Sequence, residues 1–186
     1  KNLDLNQSDE SEPIAYSKDL AGQLLSNPEV LSIVPVASKT GILQTDEDIE
    51  GLLFKGVPHN YDWNFFKSNI TKGRTLNNSD TTDTYEFLIS EKNAHKLDLD
   101  TGQMVDVFFI QNDKVRRRRL KLVGLFKTGL EELDNKIILT DLRVIQRIFS
   151  PEYNLVTAYE IRINDVNKLD ETSDWVDSEI GLKLKS

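Results

Sequence analysis

The sequence feature that most constrains the fold is a pair of long alternating segments, "GQMVDVFFIQ" and "RRLKLVGLF", separated by the short polar link "NDKV". Apolar and polar residues alternate along both segments, which is the pattern of strands with one buried face. The link contains Asn112 and Asp113, two residues that favour turns. Strands joined by so few residues pair in the antiparallel sense, so we expect a β-hairpin here.

Both ends of the chain combine a helix with strands. Near the start, "SKDLAGQLLS" has the apolar spacing of a helix capped by Ser17, and "EVLSIVPVASKTGILQ" has the composition of a strand with an edge or a bulge near Pro35. Near the other end, the strand "NLVTAYEIRIN" precedes the helix "DVNKLDETSDWVDSEI", and "GLKLKS" alternates as a further strand does. If "KNLDLNQ" is also a strand, each end carries a β-α-β unit.

The segment between these ends is mainly β. Besides the hairpin, we predict the strands "DIEGLLFKGV", "YEFLIS" and "NKIILT", the helices "DWNFFKSNI", "EKNAHKLDL" and "DLRVIQRIF", and the loop "TKGRTLNNSDTTDT". Thr140 or Asp141 is placed to cap the last helix. We therefore predict an α+β fold of two β-α-β halves, residues 1–44 and 154–186, with residues 45–153 inserted between them.

The run Arg116–Arg119 stands out because the chain is acidic, with 31 Asp and Glu residues against 23 Lys and Arg and a net charge of −8. A nucleic-acid binder usually carries a basic stripe on one face, so we do not expect nucleic acid as a partner. Strand alternation places Arg116 and Arg118 on the face of Leu120 and places Arg117 on the opposite face. We expect burial to begin at Leu120, with Arg116–Arg118 largely exposed near the hairpin tip, paired with nearby carboxylates and of small importance for stability.

No pattern in the sequence supports catalysis or a cofactor. The chain has no cysteine, His59 and His95 lie far apart without neighbours at metal-ligand spacing, and no G-x-S-x-G, P-loop or HExxH motif is present. We therefore predict no enzyme, no metal and no cofactor; a hydrolase with an unrecognised site is an alternative. The chain also lacks an apolar run long enough for a membrane span and does not begin with Met, so we expect it to be a piece of a longer protein.

Four aromatic residues gather around one predicted helix. Trp63 and Phe66 share a helical face and are expected to anchor the core of the inserted segment; the alternative is that the whole group, with Tyr61, forms a lipid-binding patch. Phe65 points away from that face and is expected to be exposed. It is the member of the group that we assign, as a hypothesis, to contact with an acylated or lipid substrate.

The order of motifs resembles the extracytoplasmic domain of lipoprotein-releasing (LolC/LolE-type) ABC transporter permeases, within the wider FtsX/MacB-like permease family. The resemblance begins near Asp19 and extends to the end of the chain. Its most specific parts are "KGV" after a strand, "ISEKNAHKLDLDTGQMV", which is similar to the family's G-x-x-L-A-x-x-L-x-L-x-x-G-D-x-V, and "LVGLFKTGLEELDN", which is similar to V-V-G-I-F-x-S-G-x-x-x-Y-D. Ser90 and Gln103 replace a glycine and an aspartate of the family pattern, and Pro58 comes one position early.

The resemblance implies a two-lobed MacB-like periplasmic core domain, with a porter-like lobe from the two terminal units and an inserted, mainly β, Sabre-like lobe. It implies a location on the periplasmic side of the bacterial inner membrane, tethered by flanking helices. Partners would be a second permease subunit, a separate cytoplasmic ATPase and a lipoprotein or lipid cargo. Alternatives are a MacB-like export or cell-envelope signalling domain and, from a different class, a polyanion-binding module that uses Arg116–Arg119. The isolated domain is expected to be a monomer.

The same resemblance implies a role for the hairpin. In LolC-type permeases the corresponding hairpin carries a hook and a neighbouring basic pad that recruit a soluble periplasmic lipoprotein chaperone, although the connection here is shorter than that hook. The partner-binding residues that the resemblance implies are therefore those at the hairpin tip: Asn112, Lys114, Arg116, Arg117 and Arg118.

Overall fold

The computed structural model describes residues 11–45, 48–77, 84–150 and 154–183. The strands are β1 (Ile14–Ala15), β2 (Val30–Gln44), β3 (Ile49–Val57), β4 (Ile70–Gly73), β5 (Glu86–Ser90), β6 (Met104–Gln111), β7 (Lys114–Phe126), β8 (Ile137–Asp141), β9 (Leu155–Val156) and β10 (Ala158–Ile163). The helices are α1 (Lys18–Leu24), α2 (Asn64–Lys67), α3 (Glu91–Lys96), α4 (Glu131–Lys136), α5 (Leu142–Phe149) and α6 (Leu169–Lys183), with a 3-10 turn at Val166–Lys168 before α6.

Three helices begin at side-chain caps that the local sequence supplies. The Ser17 hydroxyl accepts from the Leu20 N–H at 3.1 Å, and the Asp141 carboxylate accepts from the Arg143 N–H at 2.9 Å. Both caps were predicted and both are confirmed. The Ser90 hydroxyl caps α3 by accepting from the Asn93 N–H at 3.1 Å.

Six strands pair around a closed circuit. In order, β2 pairs with β3, β3 with β8, β8 with β5, β5 with β7, β7 with β6, and β6 with β2. The β3–β8 and β5–β7 pairs are parallel and the others are antiparallel, so the strands form a mixed barrel. Outside this circuit, β4 pairs with β7 and β10 pairs with β2, both in the antiparallel sense. Closure leaves few strand edges open in the inserted segment, which limits pairing with other chains.

Two apolar cores occupy the two sides of the sheet. The larger contains α5 and the fully buried Phe54 and Phe109, whose rings meet edge to face at 5.1 Å. The smaller contains Phe66 and Phe126, with Trp63 packed against it. Strands buried on both sides are the reason why several segments of the insert are almost continuously apolar.

Strand β2 ends at Gln44, where we predicted the boundary, but it pairs with strands on both sides of that boundary. Residues Val30–Val36 pair with β10, whereas Ala37–Gln44 pair with β3 and β6. Pro35 lies in the first part, opposite Tyr159 of β10. The α+β class is confirmed, but the division into two lobes stays a prediction, because one strand takes part in both.

Three predictions of secondary structure need correction. The helix expected over "DWNFFKSNI" is limited to Asn64–Lys67, since the chain enters β4 at Ile70. Strand β4 then continues to Gly73, inside the stretch that we expected to be a loop. The strand expected at "GLKLKS" is wrong for its first three residues, because α6 continues to Lys183. Leucine and lysine are good helix formers, and alternation over six residues is too short to override that propensity. The expected strand "KNLDLNQ" lies outside the described residues.

Within the described part of the chain, no helix combines the length and the apolar character that a membrane crossing requires.

Candidate functional site

The turn of the β6–β7 hairpin is tighter than predicted. Asn112 and Asp113 have φ angles of 50° and 59°, and Gln111 pairs directly with Lys114. Two consecutive residues with positive φ indicate a type I′ turn, for which asparagine and aspartate are well suited. The link is therefore two residues long rather than four, and the whole arginine run lies inside β7.

The outer face of the hairpin carries Arg117 and Arg119, both exposed. Arg117 donates from Nη2 to Asp106 Oδ2 at 2.6 Å, and Asp106 lies directly opposite Arg119 in the antiparallel register. The hydrogen bond from Arg117 and the charges of both arginines lower the pKa of the Asp106 carboxyl. The expected pairing of arginine heads with carboxylates is thus confirmed for Arg117.

Apolar side chains share this outer face. Ile110 and Val115 are direct partners in the register, and they are 46% and 67% exposed. Basic and apolar groups side by side suit a surface that binds proteins, because arginine is enriched at such surfaces and the centre of the contact is apolar. The outer face can therefore offer both charge and apolar contact.

The inner face of the hairpin differs from the prediction. Leu120 is fully buried, as expected, but Arg116 and Arg118 are half-buried rather than largely exposed. They lie opposite the buried Phe109 and Val107, and Arg118 donates from Nη2 to the main-chain oxygen of Arg147 at the end of α5, at 3.4 Å. The aliphatic parts of these two arginine side chains continue the core from Leu120 toward the hairpin tip, because α5 covers this side of the strand.

The five predicted partner-binding residues therefore fall into two groups. Asn112 and Lys114 are exposed at the tip, and Arg117 is exposed on the outer face. Arg116 and Arg118 are turned toward α5. The structure does not place all five on one surface, and alternation along the strand is the reason.

The aromatic group is arranged as predicted. Phe65 is 45% exposed, whereas Phe66 is buried with its ring 5.4 Å from that of Phe126. The Trp63 ring lies 6.1 Å from Phe66 and 5.1 Å from Tyr61. Phe65 is thus free to contact a ligand or partner, and such contact stays a prediction.

A cleft that the sequence did not indicate lies beside β10. It has a volume of about 600 Å³ and is lined by Leu31, Ser32, Ile33, Val34, Asn60, Tyr61, Asp62, Glu160, Ile161 and Arg162. Because it joins β2, β10 and the segment after β3, its residues are up to about 130 positions apart in the chain. No local motif could have revealed it.

Two ion pairs involve residues of this cleft. Asp62 pairs with Arg162, both in the lining, and Glu160 of the lining pairs with Lys55, whose Nζ lies 5.8 Å from the centre of the Tyr61 ring. Burial and the neighbouring Glu160 raise the pKa of Tyr61 to about 12, so its hydroxyl keeps its proton at physiological pH. The pairs connect the inserted segment to β10, and they leave the carboxylates engaged with cations.

Two of the motifs quoted above, "LVGLFKTGLEELDN" and "KGV", make contacts that stabilise the fold. In "LVGLFKTGLEELDN", the Asp134 carboxylate accepts from the N–H groups of Thr128 and Gly129, each at 3.0 Å, and from the Thr128 hydroxyl at 2.8 Å. In "KGV", a Cβ on Gly56 would lie 2.8 Å from the Leu142 Cα, so α5 packs directly against the β3 backbone. These residues fix a loop and a helix contact.

No metal site is assembled among the residues that the structure describes, where no group of three His, Cys, Asp or Glu side chains converges. His95 lies on the exposed side of α3, and His59 lies in an exposed turn.

No family model matches the sequence, and no curated protein matches it. Solved structures do match. The extracellular domain of the noncanonical ABC-type transporter YknZ from Gram-positive bacteria is 16% identical with a TM-score of 0.60, over 90% of this chain and 85% of that chain. The periplasmic region of MacB from Actinobacillus actinomycetemcomitans is 15% identical with a TM-score of 0.56, over 90% and 76% of the two chains. The chain therefore has the mixed α+β fold of these two transporter domains.

Proposed function

We propose that this chain is an extracytoplasmic domain of an ABC transporter permease. The observation that carries the proposal is the fold likeness to two such domains, which extends over 90% of the chain rather than over one substructure. The domain would lie outside the cytoplasmic membrane. A separate cytoplasmic ATPase would hydrolyse ATP, and a second permease subunit would complete the transporter.

We further propose that the transporter releases or transfers lipoproteins from the inner membrane. The support is the resemblance of the "ISEKNAHKLDLDTGQMV" and "LVGLFKTGLEELDN" segments to the LolC/LolE pattern. A MacB-like export or cell-envelope signalling function is the alternative, and the likeness to the MacB periplasmic region favours it. The two functions differ in cargo and share the location of the domain.

The outer face of the hairpin is the proposed recruiting surface for a soluble periplasmic partner. Arg117 is exposed there, next to the apolar pair Ile110 and Val115, and Asn112 and Lys114 are exposed at the adjoining tip. On a chain with a net charge of −8, a local basic surface would steer an acidic partner to this tip. A lipoprotein chaperone with an acidic rim has the required chemistry.

A polyanion-binding function has less support. The four arginines are divided between two faces of one strand, with Arg117 paired to Asp106, and so they do not form the continuous basic stripe that counterion release exploits. Titration with heparin at low salt tests this alternative. Tight, salt-sensitive binding that is lost when Arg116–Arg119 are replaced by alanine would favour it over the transporter proposal.

The experiment for the main proposal uses the intact permease in its own membrane. Protease added to spheroplasts should cut this domain, whereas protease added to inside-out membrane vesicles should leave it intact. Depletion of the permease should then cause lipoproteins to accumulate in the inner membrane. Cleavage only in the inside-out vesicles would contradict the location, and normal lipoprotein distribution with loss of another exported substrate would favour the MacB-like function.

We also propose that the isolated domain is a monomer, since the subunits of the transporter would meet mainly through their membrane helices. Sedimentation of the domain at micromolar concentration should give the mass of one chain. A stable dimer would contradict this.

A further inference from the structure

We propose that the cleft beside β10 binds a neutral saccharide. The cleft has a volume of about 600 Å³ and lies between β2, β10 and the segment that follows β3. This volume falls within the range of about 300–1,000 Å³ that is common for ligand pockets. The site is separate from the recruiting surface of the hairpin, because none of its lining residues belongs to β6 or β7. It therefore does not depend on the proposed function of the transporter.

The first observation is that the charges around the cleft are balanced. Asp62 pairs with Arg162, and its other carboxylate oxygen accepts from the Asn64 N–H at 2.9 Å. Glu160 pairs with Lys55. Each carboxylate of the lining thus has its own cation, and a ligand with a net charge would find no opposite charge left in the lining to complement it. The lining therefore favours a neutral ligand.

The second observation is hydrogen-bonding capacity that the protein leaves unused. In the described part of the chain, the hydroxyl groups of Ser32 and Tyr61 and the side-chain amide of Asn60 make no hydrogen bond. Ser32 and Tyr61 are half-buried and Asn60 is exposed, so all three can be reached from the cleft that they line. Because burial and the neighbouring Glu160 raise the pKa of Tyr61 to about 12, its hydroxyl can donate as well as accept.

The third observation is that two charged groups of the lining are only partly engaged. Glu160 uses Oε1 for its contact with Lys55, which leaves Oε2 as an acceptor. Arg162 uses Nη1 for its contact with Asp62, and a guanidinium has further N–H donors. The side chains of Glu160 and Arg162 are 41% and 51% exposed, so a ligand has access to both. They lie two residues apart on β10 and therefore point to the same face of the strand.

These features fit a saccharide. Neighbouring hydroxyl groups on a sugar ring both donate and accept, so they can bond Glu160 and Arg162 while both ion pairs stay intact. Further hydroxyl groups of the sugar match the three unused polar side chains of the lining. Val34 and the Tyr61 ring, both packed against the smaller core, offer an apolar wall for the C–H groups of the sugar.

The test measures binding of three neutral trisaccharides, maltotriose, cellotriose and chitotriose, to the chain by titration with NMR detection. Ser32→Ala and Tyr61→Phe each delete one of the unused hydroxyl groups, so both variants should fold as the parent does. Ser173→Ala is the matched control, because it deletes an exposed hydroxyl on α6, outside the cleft lining. Loss of one neutral hydrogen bond should weaken binding of the tightest trisaccharide about fivefold in each cleft variant and leave the control at the parent's affinity.

Two results would overturn the proposal. One is the same affinity in the two cleft variants as in the control. The other is the absence of binding to the parent, at millimolar concentration, by all three trisaccharides.

Two further probes test the ligand class. Trigalacturonate, a trisaccharide that carries carboxylates, should bind more weakly than the neutral probes, and tighter binding would contradict a neutral ligand. Acetyl-tetraalanine amide, an uncharged peptide, should not bind. Binding of this peptide in place of the saccharides, with the same loss in Tyr61→Phe, would overturn the saccharide assignment in favour of a peptide.

Discussion

Strand β7 runs without interruption from Lys114 to Phe126, and its two halves have opposite surroundings. From Leu120 onward the strand lies between two apolar cores, with Leu122 in the larger and Val123 in the smaller. From Lys114 to Arg119 it pairs with β6, and its outer face meets solvent. One strand therefore has two different halves. The core half holds the barrel, and the tip half carries exposed charges that we propose for binding.

The largest expected effect lies in the core half. Replacement of Leu122 by alanine removes a fully buried side chain from the larger core, so the free energy of unfolding should fall by about 2–5 kcal/mol. Val115→Ala, in the tip half, is the matched control and should stay within about 0.5 kcal/mol of the parent. Urea denaturation measures both. A similar loss in both variants would remove the distinction between the two halves.

Gly124 tests how closely the core half is packed. A Cβ there would lie 2.1 Å from the main-chain oxygen of Arg74, so Gly124→Ala should push β4 away from β7 and cost about 1–3 kcal/mol of unfolding free energy. Gly22→Ala, in the middle of α1 with no atom within 4 Å of the new Cβ, should instead stabilise by about 0.5–1 kcal/mol. A neutral Gly124→Ala would contradict the contact.

Glu86, which precedes the buried part of β5, makes a charged contact beside the core half. Burial raises the pKa of its carboxyl, but two hydrogen bonds from Arg74, at 2.9 and 2.6 Å, and one from the Asn77 N–H outweigh burial, so the pKa lies below its ordinary value of 4.5. Because the folded-state pKa is depressed, this stabilisation is present above that ordinary value and is lost as the pH falls through the folded-state pKa.

The measurement is the urea concentration at the midpoint of unfolding, determined at several pH values from neutral to acidic. The parent should lose more stability on acidification than Glu86→Gln, which has no carboxyl to protonate. Arg74→Gln should also reduce the pH dependence of stability, because it removes the group that donates to the Glu86 carboxylate. Parallel curves for the parent and Glu86→Gln would show that the contact does not contribute.

The smallest stability effects are expected in the tip half of β7. There, a variant on the inner face of the hairpin should cost more stability than one on the outer face. Arg117→Ala removes an exposed ion pair and should scarcely move the urea midpoint. Arg118→Ala removes a stem that packs beside Val107 and should lower the midpoint more than Arg117→Ala, yet far less than Leu122→Ala. The reverse order of the two arginine variants would contradict the assignment of inner and outer faces.

Much of this organisation follows from local sequence. Alternation in "RRLKLVGLF" predicted burial from Leu120, and the caps at Ser17 and Asp141 were visible because helix starts have short-range signals. The half-burial of Arg116 and Arg118 was not predictable. It depends on where the end of α5 lies, and no pattern within β7 specifies a neighbour some 30 residues away.

Pairing between distant segments was the second feature that the sequence could not predict. Closure of the barrel requires β6 to pair with β2, about 65 residues earlier in the chain, and the cleft depends on Asp62 meeting Arg162. Such contacts are selected by the packing of the whole fold rather than by local propensity. For the same reason the sequence indicated the tip residues as a candidate partner site but did not indicate how they divide between two surfaces.

The most direct test of the account asks whether the tip half serves binding rather than folding. For the proposed lipoprotein-releasing function, ATP-driven lipoprotein release would be measured from membrane vesicles that contain the intact transporter, with the proposed soluble chaperone present. The variants are Lys114→Ala with Arg117→Ala and, as a control, Lys127→Ala, which is exposed just past the opposite end of β7. We expect the double variant to melt with the parent but to release less lipoprotein, and the control to match the parent in both. Release at the parental rate by the double variant would contradict the account.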